Sequence, residues 1–179
     1  SGTGTIAGSV TIGSGGTREK DVVLEIARAL ARRVDAEQGM RAYLTRDSDR
    51  FLVLRERIDR ARAARADLFV SVHADSIRDR SVSGSSVYVL SERGASSEAA
   101  RWLAENENAA DLKGGVSLSG SNGALASVLM DLSQAASIGS SMEAAERVLQ
   151  QLDRVGNIRK SQVQQAGFLV MKSPDIPSM

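Results

Sequence analysis

The run Asp67-Leu68-Phe69-Val70-Ser71-Val72-His73-Ala74-Asp75 constrains the fold more than any other stretch of the chain. Leu68, Phe69, Val70 and Val72 are mostly β-branched or aromatic, in a run too short for an ordinary helix. The pattern predicts a short buried strand. Polar Asp75 and Ser76 follow at once, which sets His73, the only histidine, where strand gives way to loop. In α/β folds that carboxyl edge is where ligands bind. Taken by itself, a lone His also fits an ordinary structural or surface role.

The stretches around it alternate between helical and extended periods. Residues 1–16 are rich in Gly, Ser and Thr and read as a flexible loop, with Ile6 and Val10 to Ile12 forming at most a weak strand. Neither a P-loop nor a GxGxxG phosphate motif is present there. A helix is predicted from Thr17, its N-cap, with Glu19 and Asp21 in the first turn, where the helix dipole favours acids. Val23, Ile26, Ala27, Leu30 and Val34 supply its apolar face to about Ala36, and Gly39 ends it. On this pattern Glu19 has a sufficient ordinary explanation as a solvent-facing carboxylate. Met40 to Thr45 alternates as a strand. Leu54 to Arg65 reads as a second helix with Leu54, Ile58 and Ala61 inward and arginines outward, and Ser85 to Leu90 as a strand after the His73 segment. This order predicts an α/β layer structure, helices covering a sheet.

From Ser96 the pattern becomes helical. Glu98 to Leu112 contains Trp102, the only tryptophan, and glycines between 114 and 123 interrupt it. Ala124 to Leu152 is apolar-periodic, with Leu125, Leu129 and Leu132 in its stripe. Gly139-Ser140-Ser141 is expected to break it into two helices. Residues 96–153 thus read as a helical insertion within a single domain spanning 1–179. Gly167 to Lys172 reads as a last strand, and Pro174 and Pro177 mark an extended exit.

Composition narrows the chemistry. The net charge is +1 with charges of both signs mixed along the chain, so there is no electrostatic footprint for nucleic acid. No apolar run approaches the ~20 residues of a membrane span. Cysteine is absent, which excludes disulfides, thiolate zinc sites and cysteine nucleophiles. With one His, a three-histidine site is excluded too, and any metal site leans on carboxylates.

Several stretches together resemble one family. GSGGTREKDVVLEIARAL, YLTRDSD with RFLVLRERI, ADLFVSVHADS, SVYVLSERGASSEAARWLAENENAADL, LASVLMDLSQ and QAGFLVMKSPDIPS are similar to the zinc-dependent N-acetylmuramoyl-L-alanine amidases of the bacterial cell-division type. The resemblance implies a mixed sheet flanked by helices, with a helical regulatory insertion. It implies hydrolysis of the amide between N-acetylmuramic acid and the L-alanine of the peptidoglycan stem peptide, in the periplasm, after loss of a leader. Its cofactor is zinc, and carried across residue by residue the metal ligands are Glu19 and His73. Asp75 is the candidate to orient His73, unless it caps the following loop. The insertion would cover the cleft until an activator protein of degenerate metallopeptidase type draws it aside. Glu105 and Glu107 are candidates for an autoinhibitory carboxylate on it, against the ordinary role of solvent-exposed helix glutamates, and the stripe with Leu125, Leu129 and Leu132 would suit the activator.

The sequence also departs from the family pattern. Gly4 stands where the family's first zinc-ligand His is expected, with the family's first strand expected before Ser1 and its general-base Glu beyond Met179. A chain with two zinc ligands and no general base is expected to be a poor hydrolase. The rival expectation is a catalytically silent amidase fold serving as a binding or assembly module, with self-association completing the sheet.

Overall fold

Parallel strand pairing, which needs a long crossover between partners, organises the first half of the chain. The computed structural model describes residues 2–7, 18–74, 83–109, 124–173 and 175–179, with the backbone alone for 2–7 and 124–133. The chain falls into two compact units, Ser1–Arg80 and Ser81–Met179.

In the first unit the order is β1 (Gly2–Ala7), α1 (Glu19–Asp35), β2 (Met40–Leu44), α2 (Leu54–Ala63) and β3 (Leu68–Ser71). The sheet order is β2-β1-β3, with Gly4 opposite Ala42 on one side and Leu68 on the other, both pairings parallel. The expectation of a flexible loop at residues 1–16 therefore fails over Gly2–Ala7. That segment is the central strand, and two flanking partners supply the hydrogen bonds that its glycine content hides from a propensity reading. Gly4, too, lies inside this strand rather than in a loop after one. Strand order reverses at β1, so the carboxyl ends of β1 and β3 flank a topological switch point, the usual ligand crevice of such sheets.

Thr17 lies outside the described residues, and the N-cap of α1 is Arg18 in extended conformation. The buried face of α1 is also rotated from the expected one. Glu19, Val23, Ala27 and Ala31 form a buried row at four-residue spacing, joined by Leu24, whereas Ile26 and Leu30 are exposed. Ala27 and Ala31 pack against Ala42, Leu44 and Val72. Small alanines let the helix approach the sheet closely, and larger neighbours turn outward. In α2 Leu54, Ile58 and Ala61 are buried as expected, but Arg57 is buried with them and its Nε donates to Leu52 O at 3.2 Å. That bond offsets the cost of removing a polar head from water.

The second unit contains β4 (Tyr88–Leu90), α3 (Glu98–Asn108), α4 (Ala124–Val155) and β5 (Gln164–Ala166). β4 and β5 pair in parallel, from Tyr88 opposite Gln164 to Leu90 opposite Ala166. Val89, Ala100, Ala145 and Ala166 are fully buried, and Tyr88 meets Phe168 edge-on with ring centroids 5.6 Å apart. The expected last strand at Gly167 to Lys172 is displaced: the strand is Gln164–Ala166, and Leu169–Met171 is a 3-10 turn. The Asn108 side chain causes the turn to be held, donating to Gly167 O and accepting from Leu169 N, both at 2.8 Å. A single helix also runs unbroken through Gly139-Ser140-Ser141. Ser141 Oγ donates to Ser137 O within the helix at 2.7 Å and accepts from Ser178 N at 2.8 Å. Tertiary bonds thus recruit the hydroxyl that sequence reading takes as a helix breaker.

Two glycines are expected to answer substitution with opposite signs. Gly84 has φ +109°, and a Cβ there would stand 2.9 Å from Arg159 N. Gly84→Ala should cost about 1–3 kcal/mol. Gly139 lies within α4, and a Cβ there meets nothing within 4 Å, so Gly139→Ala should stabilise by up to ~1 kcal/mol. Urea unfolding of the two variants checks both signs.

Candidate active site

Glu19 is the first residue of α1, and its side chain is 1% exposed. A carboxylate is expensive to bury without donors. It gains the positive end of the α1 dipole and a hydrogen bond from the Ala74 backbone N–H to Oε1 at 3.0 Å. The solvent-facing explanation of this residue is therefore overturned. Its place in the four-residue row with Val23, Ala27 and Ala31 is the reason, since that row is the one facing the sheet.

His73 follows the end of β3, and its Nδ1 lies 3.6 Å from Glu19 Oε1. Its Nε2 lies 3.0 Å from Ser71 Oγ. The imidazole is 21% exposed, so one edge reaches solvent while the other faces the buried carboxylate. The structure brings Glu19 and His73 together at the carboxyl end of β3 although they are far apart in sequence. Among the described residues no group of three or more His, Cys, Asp or Glu is arranged to hold a metal ion.

The loop after β2 fixes the first turn of α1. Arg46 is buried and donates to Lys20 O at 2.7 Å and to Ser48 O at 3.1 Å. Burial lowers its pKa from the ordinary guanidinium value. Lys20 Nζ in turn bonds the Asp49 carboxylate, and that hydrogen bond holds the Asp49 carboxyl below the ordinary carboxylate range. Glu19 is thus positioned from three sides: by its helix, by the Arg46 loop and by the Ala74 amide.

Asp75 lies outside the described residues. Glu105 is exposed on α3, with Oε1 4.0 Å from Arg101 Nε, and Glu107 is buried within the second unit. Leu125, Leu129 and Leu132 lie on α4 where only the backbone is described. Sequence reasoning missed Ser71 and the Ala74 amide. The period of two along an extended chain would have found the first, because residues 71 and 73 fall on one side.

The N-acetylmuramoyl-L-alanine amidase family model matches residues 2–179. The chain belongs to the N-acetylmuramoyl-L-alanine amidase family. It is 47% identical over 171 residues to the amidase AmiC of Escherichia coli O6:H1, covering 96% of this chain and 41% of that protein. It is 39% identical over 168 residues to AmiA of Escherichia coli K12, covering 94% of this chain and 58% of that protein. The chain therefore spans about half the length of these curated relatives. The solved amidase AmiC2 of Nostoc punctiforme superposes with a TM-score of 0.59 at 26% identity, over 99% of this chain and 76% of that one. The CwlD amidase of Clostridioides difficile, solved in complex with the GerS lipoprotein, has the same fold, with a TM-score of 0.62 at 16% identity over 99% of this chain and 79% of that one. The α/β class expected from the sequence agrees with these amidase-family neighbours.

Arg46→Ala should destabilise the first unit by about 1.5–3 kcal/mol, the usual worth of charge-assisted bonds, measured by urea titration. The contribution of the Lys20–Asp49 pair should depend on pH. The Asp49 carboxyl is lowered in the folded state, so its contribution is present above the unfolded pKa of ~3.9 and fades as pH falls through the folded value. The stability difference between wild type and Asp49→Asn should accordingly vanish in acid and shrink in high salt.

Proposed function

We propose that the chain is the catalytic portion of a zinc-dependent N-acetylmuramoyl-L-alanine amidase, with Glu19 and His73 as two of the metal's ligands. The observation that carries this reading is the 3.6 Å approach of His73 Nδ1 to Glu19 Oε1 at the switch point of a parallel sheet. Two ligands about 2.0–2.1 Å from one tetrahedral zinc stand roughly 3.3–3.4 Å apart, so an imidazole nitrogen and a carboxylate oxygen at this separation suit a shared ion. Zinc bound there would lower the pKa of a water towards ~7 and polarise a carbonyl.

The chain's own residues supply orientation. Ala74 N–H and the α1 N-terminus hold the Glu19 carboxyl beside His73, and the partly exposed imidazole opens the pair to substrate. Family membership supports the peptidoglycan amide between N-acetylmuramic acid and L-alanine as the bond cleaved, hence action in the cell wall and, in a two-membrane cell, the periplasm in cell division. Among the described residues no helix is long and apolar enough to cross a membrane. The helical segment from α3 into α4 is the candidate for autoinhibition. Glu105 is its exposed carboxylate, and Glu107 is buried. An activator protein that displaces this segment is the partner the reading calls for.

The test is muropeptide release from purified sacculi by the metal-free chain, with and without added zinc, beside His73→Ala and Glu19→Ala. Slow, zinc-restored cleavage at the lactyl–alanine amide is expected, in keeping with the two recognised ligands. Each variant should lose more than the roughly 10–100-fold that removal of a mere outer partner costs. Sacculus binding without cleavage, unaffected by chelator, would overturn the enzyme reading in favour of a binding module.

A further inference from the structure

We propose that Asp35 guards the outer edge of β2: its carboxylate holds the Ala42 N–H, the amide through which a second copy of this chain would otherwise pair strand to strand. Asp35 stands at the opposite end of α1 from Glu19, and the assignment does not depend on zinc.

Asp35 is electrostatically out of place in its own helix. It is the last residue of α1, beside Arg32 and Arg33 in the final turn, where the dipole favours cations and disfavours an acid. Its reason lies in the strand. Oδ1 accepts the Ala42 N–H at 2.7 Å. Among the described residues β2 is an outer strand, with β1 as its one strand partner. Amides along a strand point alternately to its two sides. Met40 N–H, of the same parity as Ala42, goes to Glu37 O in the connecting turn at 3.1 Å. Met40, Ala42 and Leu44 therefore turn their amides outward, and Arg41 and Tyr43 turn theirs to β1. Ala42 is the middle of this five-residue strand, so the carboxylate sits at the centre of an edge that would otherwise template another strand.

That edge is self-complementary. A second β2 laid antiparallel about a twofold axis at Ala42 would exchange both Ala42 hydrogen bonds. The same register sets Arg41 of each copy across from Tyr43 of the other, a guanidinium beside an aromatic ring. Both side chains are exposed, Tyr43 at 39%, and Met40, 51% exposed, would face Leu44. The central bond of such a dimer needs the amide that Asp35 holds, so two Asp35 bonds would have to be given up for it to form.

Sedimentation velocity over a concentration series, beside backbone amide exchange by NMR, tests the guard in the whole chain. In wild type the exchange rate at Ala42 should not vary with protein concentration. Asp35→Ala removes an acid from a helix C-terminus and should fold. Its dimerisation should tighten about 10–100-fold, because two Asp35 bonds are no longer given up per dimer. Its Ala42 amide should exchange fast in dilute solution and slowly as the dimer forms. Asp35→Gly, at a helix end where glycine is well tolerated, takes its place if the alanine variant folds poorly. Asp35→Asn keeps an oxygen acceptor and should behave as wild type. An Asp35→Ala protein with wild-type association, a dimer that leaves Ala42 unprotected, or an asparagine variant that associates like the alanine one overturns the guard. So does a wild-type protein already paired through Ala42.

Discussion

The hydrogen bond from the Ala74 amide to the buried Glu19 carboxylate is the contact on which the candidate site depends. It joins the first residue of α1 to the chain leaving β3, two places that only the parallel sheet brings together. A buried carboxylate left without donors would cost several kcal/mol or become protonated. The site therefore requires the register of the whole first unit. β1 must lie between β2 and β3, α1 must cross back against β1 and β2, and the Arg46 loop must hold the helix start. A change to any of these moves the carboxylate away from the imidazole.

The alanine row of α1 serves the same end. Val23, Ala27 and Ala31 share the buried row with Glu19, so the packing that seats the helix also turns the carboxylate inward. Packing and site geometry are one constraint here. Large side chains at positions 27 and 31 would lift the helix from the sheet and withdraw Glu19 from Ala74.

The second unit is held in a different way. Its turns rely on side chains that replace missing backbone partners: Asn108 on Gly167 and Leu169, Ser141 on Ser178, and Gln134 and Ser137 on Ser173 O. The buried Gln134, Ser137 and Ser141 are tolerated because each of them finds a bond. This explains why a long helix passes through a Gly-Ser-Ser run and why an apolar stretch such as Leu169–Met171 turns instead of extending.

Much of the architecture was legible in the chain. The periods of 3.6 and 2 mark α1, β2, α2 and β3 closely, because amphipathic burial is written in the spacing of apolar residues. The two residues that meet at the site were singled out by their resemblance to a family, and His73 also by its place at a strand end. What the spacing did not determine is which face of α1 is buried, that a glycine-rich leader forms the central strand, or that Ser71 and Ala74 reach His73 and Glu19. Those depend on contacts between segments distant in sequence. A strand takes its hydrogen bonds from neighbours, and a helix takes its orientation from the surface it lies on. The sequence by itself determined the elements and the chemistry available to them; the tertiary structure alone decided that the carboxylate, the amide and the imidazole would share one half-buried corner.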